Sequence, residues 1–160
     1  MTLLEQVYQV FSLKSYQKNM GKEMVKTPKV YFSDSGVLSH TLRIKSVEEL
    51  DNSHYKGEIV ETFVYAELKK HFTASEDFFK FNYYRTKDKS EIGFVLESNS
   101  HILAIEVKSS STAKIDDFKH IIEFDKLVSD KKVVGIVLYF GERVICFKEK
   151  FWAVPMKVFF

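Results

Sequence analysis

Apolar residues recur along the chain with two different periods, and the switches between them outline its elements. Residues 2–11 place Leu3, Leu4, Val7, Val10 and Phe11 at helical spacing, which predicts a short helix. FSLKSY (11–16) and KVYFSD (29–34) read as two strands, and the lysine-rich stretch between them carries Gly21 and Pro28, as in a long hairpin. Ser33–Gly36 is a turn signal, and the polar run 46–56 reads as a connecting loop or a short helical turn. From Gly57 the pattern becomes regular. GEIVETFVYAELKKHF (57–72) predicts a helix with Val60, Phe63, Val64, Leu68 and Phe72 as its buried stripe. FFKFNYYR (78–85), EIGFVLE (91–97) and HILAIEVK (101–108) predict three strands separated by polar turns at 86–90 and 98–100. Residues 114–128 predict an amphipathic helix with Ile115, Phe118, Ile121, Ile122 and Val128 on its apolar face. VVGIVLYF (133–140) is continuously apolar, the signature of a strand covered on both faces. RVICFK (143–148) follows a turn at Gly141–Glu142, and the apolar end FWAVPMKVFF is expected to pack on the rest.

A strand meander, a helical crossover and a buried strand together predict an α/β domain with a mixed central sheet flanked by helices. The helix and basic hairpin ahead of it read as the tail of a winged helix-turn-helix. That divides the chain into a partial winged-helix segment, 1–45, and a main domain, 46–160.

Composition narrows the class. The 160 residues are 45% hydrophobic and 15% aromatic, which excludes a disordered chain, and 6 Gly with 2 Pro argue against a collagenous one. No apolar run reaches the roughly 18 residues that span a bilayer. The opening MTLLEQVYQVF is broken by Glu5, Gln6 and Gln9, so no signal peptide and no membrane association are expected. The single cysteine, Cys146, forms no internal disulfide and is expected to pack within its strand; a reducing, cytoplasmic setting fits. The net charge of +2, from 24 basic and 22 acidic residues, is too balanced to predict nucleic-acid binding by bulk charge. Locally, residues 14–30 set Lys14, Lys18, Lys22, Lys26 and Lys29 against Glu23. Lys14, Lys18 and Lys22 are the candidates for contacting DNA or RNA phosphates, with a solvated hairpin as the plain alternative.

The candidate chemistry lies further on. Alternation along the strand 101–108 puts Glu106 and Lys108 on one face, after an apolar start. A carboxylate there is suited to a divalent metal such as Mg²⁺. A lysine two residues on is placed to reach the attacking water or the charge developing on phosphorus. An ordinary strand-end ion pair uses the same residues. On the helix from Gly57, Glu61 and Glu67 both project toward the sheet. A buried carboxylate is costly unless paired, hydrogen-bonded or metal-bound, so Glu61 either meets Lys108 or a cation shared with Glu106, or snorkels to water from the edge of the stripe.

A helix glutamate, a meander, Glu-x-Lys, a helix and an apolar strand form a layout that resembles the PD-(D/E)xK, restriction-endonuclease-like nuclease superfamily. More closely, KTPKVYFSDSGVLSHTL (26–42), GEIVETFVYAELKKH (57–71), YYRTKDKSEIGFVLE (83–97) and AIEVKSS (104–110) resemble the C-terminal domain of unknown function of archaeal and bacterial AAA-type ATP-binding proteins. The resemblance implies a P-loop ATPase first, then a winged helix, then a nuclease-like domain. This chain has no G-x-x-x-x-G-K-[ST] and therefore no ATP site of that kind; it is expected to be a C-terminal part, or a chain without its ATPase. The resemblance also implies catalytic Glu106 and Lys108 and metal ligands Glu61 and Glu106. The family's aspartate, in a stretch like E-V-D-F, falls on Gly93, so Mg²⁺ binding is expected to be weak or lost. Glu91, one pleat away on the same strand face, is the possible compensating ligand. The function expected is a nucleic-acid-associated accessory domain with impaired or lost phosphodiester cleavage. The alternative is a protein–protein interaction or regulatory module that docks on an ATPase domain or a second copy.

Other residues carry less. His71 and His101 lack partners at zinc spacing, and Ser109–Ser111 suits a turn or cap. The aromatics Phe78, Phe79, Phe81, Tyr83 and Tyr84 suit a sheet core, or base stacking if exposed.

Overall fold

The computed structural model describes residues 3–17, 23–75 and 78–160. At its centre is a six-stranded mixed sheet in the order β3-β4-β5-β6-β8-β7. The strands are β3 (Lys80–Arg85), β4 (Glu91–Glu97), β5 (His101–Lys108), β6 (Lys132–Tyr139), β7 (Ile145–Lys148) and β8 (Phe151–Pro155). β3, β4 and β5 form the expected antiparallel meander. β6 then runs parallel to β5, and β8 parallel to β6. The crossover from β5 to β6 is a 3-10 turn, Ile115–Phe118, followed by helix α5 (Lys119–Leu127), in place of one helix over 114–128. The sequence reading missed β8. It inserts between β6 and β7, so RVICFK is an edge strand paired antiparallel to β8 and shortened to Ile145–Lys148. On that edge Ile145 and Phe147 point inward, and Cys146 is exposed, not packed.

Helix α4 (Lys56–Thr73) covers one face of the sheet and α5 the other. Its buried stripe differs from the expected one. Tyr65 is buried, whereas Phe63 is 39% exposed, against the ring of Phe160 near the terminal helix α6 (Met156–Phe159). Tyr65 stacks between Tyr31 and Phe94, which draws the helix face round by part of a turn. Glu67 pairs with Lys70 at the surface instead of entering the sheet side. On the α5 face, Phe124 packs edge-on against Tyr16 and Tyr84.

The N-terminal segment begins with a helix, α1, confined to Leu3–Gln6. The chain breaks out of helical geometry at Tyr8, whose φ is 58°. Strands β1 (Val10–Leu13) and β2 (Lys29–Phe32) form the expected antiparallel hairpin. Leu13 and Tyr31 join the α4-side core, and the backbones of Tyr16 and Tyr83 are bonded, so the hairpin is fastened to β3. Ser33–Gly36 is not a plain turn. Asp34 caps a helix, α2 (Ser35–Thr41), by accepting from Val37 N. Ser46 caps the short α3 (Val47–Asp51) in the same way.

Candidate functional site

The β4–β5 ladder ends at Phe94↔Ile105. Beyond that pair, Gly93 N–H donates not to the facing strand's backbone but to the Glu106 side chain, at 3.3 Å. The two strand ends thus part, and a cavity of about 470 Å³ opens between them. α4 contributes Glu58 and Glu61 to its wall, β4 gives Glu91 and Gly93, and β5 gives Glu106 and Lys108. A register shift in the β3–β4 ladder, between Asn82 and Tyr84, lies beside this end of β4. Glu61, Glu91, Glu106 and Lys108, singled out from sequence, therefore share one hollow. Lys108 Nζ stands 3.7 Å from Glu106 Oε1 and 3.9 Å from Asp117 Oδ1.

The residue at the middle of the carboxylates was not among the expected ones. Lys29 enters from β2, and its Nζ lies 3.0 Å from Glu61 Oε1 and 2.7 Å from Glu91 Oε1. Two residues on and on the same strand face, Tyr31 donates its hydroxyl to the same Glu61 oxygen at 2.9 Å. Arg85 also approaches Glu91, at 3.4 Å. The alternation Lys29–Tyr31 was visible in KVYFSD, but no local signal showed that this face meets α4. His120 of α5 lines the same cavity.

The electrostatics follow from partial burial. Burial alone would lower the affinity of Lys29 for its proton, but Glu61 and Glu91 outweigh it and hold the ammonium above the ordinary lysine range. Burial and then Glu61 raise Tyr31, so its hydroxyl stays a donor. Burial pushes the Glu106 carboxyl up to about 7, against the pull of Lys108 and the Gly93 N–H, with Glu61 adding to the rise. In all, four carboxyl groups face two ammonium groups, an environment that does not attract phosphate by itself.

Among the described residues, no group of three or more His, Cys, Asp or Glu side chains is placed to hold a metal ion. Lys14 lies outside this cavity, on a second groove, and Lys18 and Lys22 lie outside the described residues. His71 and His101 are exposed, at the end of α4 and the start of β5. Ser110 donates to Thr112 O across the turn after β5. Tyr83 and Tyr84 are core residues, whereas Phe78 is 84% exposed.

Fold and site define a mixed α/β domain whose six-stranded, helix-flanked sheet opens at one end into a mixed-charge cavity. Residues 56–159 match the model of the family described as Domain of unknown function (DUF4143), and the chain belongs to that family. Residues 1–48 match a second model, Domain of unknown function (DUF8612). No curated protein matches the chain. Among the described residues, no helix is long and apolar enough to cross a membrane.

Proposed function

We propose that the chain is a restriction-endonuclease-like, PD-(D/E)xK domain of an AAA-type ATP-binding protein, in which association with nucleic acid has outlasted Mg²⁺-dependent cleavage. In this reading residues 1–45 are a partial winged-helix segment before the nuclease-like body, 46–160. One observation carries the loss of cleavage: the Lys29 ammonium lies between Glu61 and Glu91, in the cavity that Glu106 and Lys108 also line. The residues do not fit a magnesium ion. Glu61 Oε1 already accepts from Lys29 and Tyr31, Glu91 is paired with Lys29 and Arg85, and Gly93 supplies no carboxylate. Mg²⁺ asks for oxygen ligands in near-octahedral array, and a resident ammonium repels it. Lys29 thus supplies the positive charge the carboxylates need without supplying a Lewis acid.

The test is incubation of the purified protein with DNA and RNA in Mg²⁺ or Mn²⁺, and the substrates are expected to remain intact. Robust cleavage that disappears in Lys108→Ala would overturn the proposal.

A second reading, an interaction module, is favoured by α1, which buries none of its side chains and leaves Leu3 and Leu4 exposed, with Val7 just beyond. Light scattering tests it. A dimer that dissociates in Leu3→Ser/Val7→Ser would favour this reading.

A further inference from the structure

α4 runs past two hollows. Glu61 lines the first; Tyr65 and Lys69, four and eight residues on and so along the same side of the helix, line a second of about 820 Å³. That volume falls in the range of small-molecule sites, roughly 300–1,000 Å³. The second groove lies between the β1–β2 hairpin, α4 and β3, and its chemistry is the reverse of the first.

Four lysines line it: Lys14 and Lys26 from the hairpin segment, Lys69 from α4 and Lys80 from β3. None has a carboxylate partner among the described residues. The one acidic residue in the wall, Glu5, accepts from Ser12. Like charges gathered on one hollow repel, and an anion relieves that repulsion. Three aromatic residues, Tyr8, Phe11 and Tyr65, line the same groove, and Tyr8 is 74% exposed.

The floor of the groove includes two buried polar residues. Ser15 and Asn82 are no more than 5% exposed. The Asn82 amide nitrogen donates to Lys14 O and Ser15 O, which fixes the way the amide faces. Asn82 Oδ1 is left without a partner, as is Ser15 Oγ. The fitting ligand therefore combines a phosphate for the lysines with a flat ring for Tyr8 and Phe11.

We infer that this groove binds a nucleoside phosphate, either free or within a single strand, with the phosphate on the lysines and the base against Tyr8. A duplex keeps its bases stacked inside and does not offer them to such a groove. The inference shares with the proposed function only the association with nucleic acid, and it stands whether or not the acidic cavity ever held a metal.

The test titrates the full chain with adenosine monophosphate, a fluorescent ten-nucleotide oligodeoxyadenylate, the matching duplex and inorganic polyphosphate. One of the two adenine ligands is expected to bind, and the Asn82 side-chain amide resonance to shift on binding. Lys69→Ala/Lys80→Ala should weaken it at least tenfold, and Tyr8→Ala severalfold. Lys119→Ala/Lys126→Ala, on α5 across the sheet, should leave it unchanged. Saturation by the monophosphate alone identifies a free nucleotide; binding only of the oligomer, with affinity that falls as salt rises, identifies a strand. Equal binding of polyphosphate or duplex, binding insensitive to Lys69 and Lys80, or no binding of either adenine ligand would overturn the inference. Binding insensitive to those lysines would still leave the proposed nucleic-acid association in place, at another surface.

Discussion

A Cβ placed on Gly93 would stand 3.1 Å from Glu61 Oε1. The glycine therefore leaves room for the Glu61 carboxylate to lie against β4 and receive Lys29. An aspartate at this position crowds Glu61 and adds a negative charge that Lys29 partly neutralises. Gly93→Asp alone is expected to bind Mn²⁺ only weakly. Gly93→Asp/Lys29→Met removes the competing ammonium and should bind it at least ~10-fold more tightly, or about 1.4 kcal/mol. Calorimetric titration of the two variants decides the matter. Equal affinities would remove Lys29 as the resident cation.

Lys29→Met also strands Glu61 and Glu91 beside each other without their shared partner. Both carboxylates still touch water, so the cost is lower than for a fully buried pair, about 1–3 kcal/mol. Tyr31→Phe removes one donor to the same oxygen and should cost about 1 kcal/mol. Urea unfolding of the two variants gives both values, and Lys29→Met is expected to be the less stable.

Glu106 makes stability depend on pH. Its carboxyl holds its proton up to about 7 in the folded chain, against an ordinary 4.5. Between those values the folded state binds more protons than the unfolded one. Its contribution is fully present below about 4.5 and is lost as pH rises through about 7. Water still reaches a quarter of the side chain, which tempers the effect to roughly 2 kcal/mol. Glu106→Gln should lack this component, so its stability relative to the native chain should improve from pH 5 to pH 8. Urea midpoints at several pH values test it, and parallel pH profiles would contradict it.

Gly135 in β6 is a packing requirement. A methyl group there would meet Phe151 Cδ1 at 2.6 Å and Ile121 Cγ2 at 2.7 Å, wedging α5 away from β6 and β8. Gly135→Ala should lower stability by about 1–3 kcal/mol. Thermal unfolding should show a clear drop in Tm, while Gly57→Ala, with open space around it, should not lose stability.

Elements with their own periodicity were readable from sequence: α4, the β3–β5 meander and β6 carry strong local patterns. β8 was not, because Pro155 and the flanking apolar residues hide a five-residue strand whose partner β6 lies well upstream. α2 was hidden by Ser33–Gly36, where Asp34 serves as a helix cap in a run that also suits a turn. Glu61, Glu106 and Lys108 were legible because helix and strand periods state which face each residue occupies. Lys29 and Tyr31 were not, since their place depends on how the hairpin docks on α4, a tertiary choice that no local pattern records. The same limit applies to Phe63 and Tyr65, where ring stacking decided which residue of α4 turned inward.

The placement of β8 between β6 and β7 has a consequence for biosynthesis. A ribosome makes β7 before the strand that must separate it from β6. Until Phe151–Pro155 emerges, one margin of β6 has unmet amide and carbonyl groups, open to pairing with neighbouring nascent chains. The sheet therefore closes only once β8 is made, and a chain interrupted before Phe151 would be a sticky intermediate instead of a shortened domain.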